Sequence, residues 1–158
     1  MRSTVGRPEA AWVALGANLG DPARTLARAR AWLGSLPGTV LEAASRVHRT
    51  APIGPPQPDY LNAVVRLRTT LTPRELLGAL QALERTAGRV RTVRWGPRTL
   101  DLDLLLFSDR VSDDPVLTLP HPRLHERRFV LAPLCELDPA HRHPRLGLTM
   151  AELLRAVP

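Results

Sequence analysis

Apolar residues in the first two-thirds of this chain switch between strand and helix spacing in the order β-α-β-β-α-β, and few folds accept that order. Trp12 to Leu15 is a short apolar run that ends in Gly16-Ala17-Asn18-Leu19-Gly20, a strand entering a turn. Asp21-Pro22 then reads as a helix start, with Asp21 as cap and Pro22 in the first helical position. Leu26, Ala29, Arg30 and Leu33 follow at helical spacing, and Gly34 or Gly38 is the expected stop. Val40 to His48 reads as a second strand. Arg49 to Asp59, with Pro52, Gly54, Pro55, Pro56 and Pro58, reads as an irregular loop. From Tyr60 to Thr70, Leu61, Ala63, Val65 and Leu67 alternate with Asn62, Val64, Arg66 and Arg68, the period of a strand. Thr72-Pro73-Arg74-Glu75 is a capping box, and Leu76, Leu77, Leu80, Leu83 and Ala87 continue a helical stripe up to Gly88. Arg89 to Arg98 reads as a second loop and Thr99 to Phe107 as a fourth strand.

This order predicts an α+β fold, a ferredoxin-like sandwich with an antiparallel sheet and two helices on one face. Extra C-terminal elements follow. Val111 to Leu119 is expected to be extended. Helices are expected over Arg127 to Leu137 and over Thr149 to Ala156, where Thr149 and Glu152 form another capping box. The length of 158 residues favours a single domain over 1–158, with 1–9 flexible.

Leu100-Asp101-Leu102-Asp103-Leu104-Leu105-Leu106-Phe107 carries the sharpest chemical signal. Residues i and i+2 of a strand share a face, so Asp101 and Asp103 project together with roughly 7 Å between their Cα atoms. Leu102, Leu104 and Leu106 are expected on the other face. Two adjacent carboxylates repel, and a divalent cation relieves that repulsion. Hard oxygen ligands suit Mg²⁺, which binds one or two carboxylates, several waters and substrate phosphates. The same pattern also suits an edge strand with charges on its wet face. Just upstream stand Arg89, Arg91, Arg94 and Arg98. Guanidiniums beside metal-binding carboxylates are the parts that phosphoryl transfer needs.

All 22 basic residues are arginine and the net charge is +7, which points to anionic partners. Genome-wide preference for arginine codons accounts for this equally well. Aromatic residues make up only 4% of the chain, so a sheet that stacks RNA bases has little to work with. No G-x-x-x-x-G-K-[ST] loop is present. Cys135 is the one cysteine, and neither a signal peptide nor a run of about 20 apolar residues occurs. A cytoplasmic monomer that engages neither membrane nor nucleic acid is the expectation. Asn62 has an amide suited to reading a heterocycle edge, Tyr60 and Phe129 suit a flat ring, and His121 lies in a proline-flanked loop. An Asp-x-Asp nucleotidyl transferase or cyclase on a similar sheet is the rival enzyme class.

Taken in order, these blocks resemble the 6-hydroxymethyl-7,8-dihydropterin pyrophosphokinase family of folate biosynthesis. The most specific block is Arg94-Trp95-Gly96-Pro97-Arg98-Thr99-Leu100-Asp101-Leu102-Asp103. Arg49-Thr50-Ala51-Pro52-Ile53-Gly54-Pro55, then Gln57-Pro58-Asp59-Tyr60-Leu61-Asn62-Ala63, is the second. Gly16 to Gly20 and Pro120-His121-Pro122 agree. The resemblance implies pyrophosphate transfer from ATP to 6-hydroxymethyl-7,8-dihydropterin, with two Mg²⁺ ions on Asp101 and Asp103. It implies that Thr50, Ile53, Tyr60, Asn62, Trp95 and Phe129 bind the pterin. Arg89 and Arg98 would act on the transferring group. Gln81, Glu84, Arg91, Trp95, Leu104, Thr118, His121 and Arg127 would line the ATP side. Ala17, Thr92, Val116 and Pro122 depart from the family pattern.

Overall fold

The computed structural model describes residues 6–52, 54, 56–88 and 100–158. Strand β1 (Glu9–Ala17) leads into helix α1 (Pro22–Gly34), whose cap Asp21 accepts a hydrogen bond from the Arg24 amide at 3.2 Å. Leu26, Ala29 and Leu33 are the buried stripe of α1; Arg30, expected among them, is exposed. The expected strand over 40–48 is two strands, β2 (Thr39–Ala44) and β3 (His48–Thr50). Ser45 explains the break, because its hydroxyl accepts from the Val64 amide at 2.9 Å in place of a ladder carbonyl. Both strands pair antiparallel with β4 (Tyr60–Thr69). Helix α2 (Pro73–Thr86) opens with the complete Thr72–Glu75 capping box, and Gly88 beyond it has φ +75°, the left-handed stop that glycine adopts without strain.

Strand β5 (Asp101–Phe107) completes the sheet, in the order β2-β4-β1-β5 with β3 also on β4. The expected 111–119 segment folds back into a hairpin of β6 (Ser112–Asp114) and β7 (Leu117–Leu119), turned by Asp114 Oδ1 accepting from the Val116 amide at 2.9 Å. A 3₁₀ turn (Leu124–Glu126), α3 (Arg128–Leu137) and α4 (Met150–Ala156) follow.

Two apolar layers enclose the sheet. Ala11, Val13, Leu15, Val65, Leu67, Leu102 and Leu104 pack against Leu26, Leu33, Leu76 and Leu80 of α1 and α2. On the other face Trp12, Val64, Leu105 and Leu106 pack against Leu124, Val130, Leu131, Leu134, Met150 and Leu153. Leu106 therefore lies opposite its expected side. The register between β1 and β5 shifts between Trp12 and Val13, so Leu105 is an inserted residue and side-chain parity reverses beyond it. Asp101 and Asp103 precede this bulge and keep the expected shared face. Asp138, at the end of α3, accepts from Trp12 Nε1 at 2.7 Å and from Arg66 Nη1 at 2.8 Å, tying that helix to the sheet. Helices α3 and α4 cover only part of this second face, and the candidate site occupies the remainder.

Candidate active site

Sheet register assembles the site. His48 on β3 lies opposite Asn62 on β4, Asn62 opposite Gly16 on β1, and Gly16 opposite Asp101 on β5. One row across the sheet thus holds an amide, a bare glycine and a carboxylate. With neighbouring strands roughly 4.8 Å apart, Asn62 and Asp101 stand about 10 Å apart in Cα position. In the adjacent row Ala14 lies opposite Asp103. The small residues Gly16 and Ala14 leave the floor between amide and carboxylates low. A Cβ on Gly16 would sit 3.2 Å from Asn62 Oδ1.

Above this floor is a cavity of about 730 Å³, lined by Thr50, Tyr60, Asn62, Asp101, Asp103, His121, Arg127 and Phe129 among others. Of the residues expected to bind the pterin, Asn62 is buried and donates from Nδ2 to Thr50 Oγ1 at 2.7 Å. Tyr60 begins β4 and Phe129 is the second residue of α3, so two aromatic residues line the cavity from separate elements. Phe129 is 37% exposed, and the Arg127 guanidinium lies 5.7 Å from its ring centre.

His121 is held by its own loop. Its amide donates to the Leu105 carbonyl at 2.8 Å, and its Nδ1 accepts from the Arg123 amide at 3.2 Å. A neutral ring that accepts at Nδ1 carries its proton on Nε2. Burial pushes the His121 pKa below its ordinary value, against the pull of the Asp103 carboxylate and with the push of Arg127 and Arg123. With Nδ1 engaged by the Arg123 amide, His121 keeps its other ring nitrogen for a partner at the cavity wall.

The donor set fits Mg²⁺. Asp101 and Asp103 present carboxylate oxygens to one cavity from one rigid strand, and both are partly exposed. Among the described residues no group of three or more His, Cys, Asp or Glu side chains is gathered to hold a metal. Two carboxylates are too few for a cage that a protein builds alone. They suffice for a cation that keeps water and takes its other ligands from phosphate.

The model of the 7,8-dihydro-6-hydroxymethylpterin-pyrophosphokinase family matches residues 12–139 of the chain. The chain belongs to this family. It is an enzyme, a pyrophosphokinase of folate biosynthesis. A Pseudomonas aeruginosa 2-amino-4-hydroxy-6-hydroxymethyldihydropteridine pyrophosphokinase is 47% identical over 148 residues, 93% of this chain and 91% of that one. The Synechocystis enzyme of the same name is 46% identical over 145 residues, 92% of this chain and 74% of that one. Among solved structures, a triple mutant of Plasmodium falciparum HPPK-DHPS with pteroate superposes with TM-score 0.76 at 15% identity. It covers 97% of this chain, which spans only 44% of that longer one, and at this identity the likeness speaks for the fold.

Some residues expected at this pyrophosphokinase's site lie outside the described residues, and others stand away from the cavity lining. Arg89, Arg91, Trp95 and Arg98, with Ile53, lie outside the described residues. Gln81 and Glu84 stand on α2. Leu104 is buried in the core beneath the sheet, and Thr118 on β7 donates to the Asp114 carbonyl at 3.0 Å. Other lining residues escape sequence reasoning: Gly16, His48, Arg123, Glu126 and Arg128. His48 bonds Glu136 of α3, which also accepts from the Arg46 amide at 2.9 Å. Burial opposes ionisation of Glu136, but these hydrogen bonds outweigh it and hold the carboxyl below its ordinary range. Only the i, i+2 relation of His48 to Thr50 hinted at a shared face. Asn18, 2% exposed, donates to Gln57 Oε1 at 2.8 Å and to the Pro58 carbonyl at 3.0 Å. It ties the end of β1 to the segment that leads into Tyr60.

Proposed function

We propose that this chain transfers the β,γ-pyrophosphate of ATP to the hydroxymethyl oxygen of 6-hydroxymethyl-7,8-dihydropterin and releases AMP. The observation that carries the reading is the row Asn62–Gly16–Asp101, which sets a heterocycle reader and a cation ligand on either side of a side-chain-free floor. Tyr60 and Phe129 hold the pterin ring between them, while Asn62 reads its edge. Its hydroxymethyl group then lies over Gly16, directed at nucleotide phosphates on the Asp101–Asp103 side. Two Mg²⁺ ions held by Asp101 and Asp103 would supply neutralising charge to those phosphates. His121 donates from Nε2 to a phosphate oxygen, and Arg127 adds positive charge at the same wall. Arg89 and Arg98 act on the transferring group. Gln81, Arg91, Trp95 and Thr118 serve the nucleotide.

In this scheme the protein supplies position and charge and forms no covalent intermediate. The chain works as one domain and as a monomer, in the cytoplasm, on small molecules. Among the described residues no helix is long and apolar enough to cross a membrane. A phosphorus NMR assay with ATP, Mg²⁺ and the dihydropterin alcohol tests the reading. AMP and a pterin pyrophosphate are the expected products. Release of inorganic pyrophosphate would mean attack on the α-phosphorus and would overturn it.

A further inference from the structure

The geometry points to Glu84 as a positioning residue that fixes β5 where that strand carries Asp101 and Asp103. Glu84 falls four residues after Leu80 on the buried stripe of α2, a position where a leucine would pack as well. It is nevertheless a carboxylate, only 9% exposed. A buried carboxylate is costly unless polar hydrogens satisfy it. Its Oε2 accepts from the Leu102 amide at 2.8 Å, and Leu102 is the residue between the two acidic ones.

The location of this hydrogen bond gives it meaning. Strand β5 ends the sheet order and pairs with β1 alone among the described strands. Amides on its outer edge lack a ladder partner there. The Leu102 nitrogen belongs to the peptide plane that joins Asp101 to Leu102. Pinning that plane sets the last backbone torsion of Asp101 and the first of Leu102, and so the directions in which both acidic side chains leave the strand. At 2.8 Å the hydrogen bond is within the normal range for an amide to an oxygen, which suits it to this duty. Helix α2 thereby stabilises the sheet from below and aims the carboxylates above. The inference rests on reading Asp101 and Asp103 as the Mg²⁺ ligands. It differs from a direct contact between Glu84 and nucleotide, which the family resemblance alone would suggest.

The test uses the whole chain with Glu84→Met, which fills the space but cannot accept, and Glu84→Gln, which keeps an acceptor. In metal-free protein, amide exchange at Leu102 followed by NMR is expected to be slow in wild type. It should be at least about tenfold faster in Glu84→Met, since a lost hydrogen bond of about 1.4 kcal/mol corresponds to that factor. The Mg²⁺ concentration for half-maximal AMP release should rise roughly 10–100-fold, the usual effect of removing a residue that orients metal ligands. Glu84→Gln should restore slow exchange and most of the Mg²⁺ response. Binding of the pterin alone, read by fluorescence, should stay at the wild-type value in both. Wild-type exchange at Leu102 in Glu84→Met overturns the inference, as does an unchanged Mg²⁺ requirement. So does a Glu84→Gln variant as impaired as Glu84→Met, which would mean that charge toward the nucleotide is what matters. Failure of the metal reading itself shows elsewhere, as a wild-type Mg²⁺ response in Asp101→Asn, and would remove the inference's premise while leaving the exchange result standing.

Discussion

Gly16→Ala separates the floor of the site from the fold. Gly16 sits mid-sheet between Asn62 and Asp101, and its φ lies outside the left-handed region, so alanine meets no backbone strain there. The new Cβ would lie 3.2 Å from Asn62 Oδ1, closer than ordinary van der Waals contact, and one of the two must move by a few tenths of an ångström. The backbone at Gly16 is paired on both sides, so Asn62 moves. Its amide is already held by Thr50 Oγ1 at 2.7 Å, and the shift spoils whatever hydrogen bond Oδ1 makes to the pterin edge. Weakening one such bond costs about 0.5–1.5 kcal/mol, or roughly 2–13-fold in pterin affinity. Stability should move the other way, by about 0.5–1 kcal/mol, because alanine loses less backbone entropy on folding than glycine. Pterin fluorescence titration and a thermal melt read the two effects. The expected result is a raised dissociation constant, a melting temperature unchanged or up by about 2–4 °C, and MgATP-analogue affinity as in wild type. Wild-type pterin affinity, or a melting temperature that falls by several degrees, would refute the argument that this glycine is there for the ligand.

Asp101→Asn and Asp103→Asn should each fold as wild type by circular dichroism yet lose roughly 10³-fold or more in AMP release, since several kcal/mol of charge stabilisation goes with a metal ligand. Near-normal turnover in either would contradict the metal assignment. Asn18→Ala removes two hydrogen bonds into the Gln57–Pro58 segment and should weaken pterin binding while sparing nucleotide binding, both by titration; an unaltered pterin constant would speak against the anchor. His143 is expected to make the protein acid-sensitive. Burial, then His125, Arg145 and His141, hold its pKa below the ordinary 6.5, and its Nδ1 accepts from the amides of Arg145 at 3.2 Å and Leu146 at 3.1 Å. The folded form therefore binds its proton less readily than the unfolded chain. Its contribution is present above about pH 6.5 and is lost as pH falls from there toward the folded pKa. Melting temperature should drop between about pH 7.5 and 5.5, and the drop should shrink in His143→Asn, whose amide oxygen can replace Nδ1. Equal slopes in the two proteins would exclude this origin.

Local chemistry was legible in the amino-acid sequence. Asp21-Pro22, Thr72 to Glu75 and Thr149 to Glu152 announce helix starts because capping depends on residues within one turn. Alternation along Tyr60 to Thr70 and the i, i+2 spacing of Asp101 and Asp103 determine shared faces because a strand's period is two whatever lies around it. Those features by themselves specified the core β-α-β-β-α-β order, the ferredoxin-like class and the carboxylate pair, but not the split of 40–48 into β2 and β3 or the hairpin within 111–119. Tertiary structure decided everything that depends on register between distant segments. The inserted Leu105 turned Leu106 to the opposite face, which no period within β5 foretells, because a bulge is a relation between two strands. Glu84 shares the i, i+4 spacing of Leu76 and Leu80, but what its carboxylate accepts from was decided only when α2 met the edge of β5. Gly16 acquired its role from Asn62 and Asp101, far from it along the chain. Which side chains share a cavity is settled by how the strands align, and that alignment is set by the packing of both faces of the sheet at once.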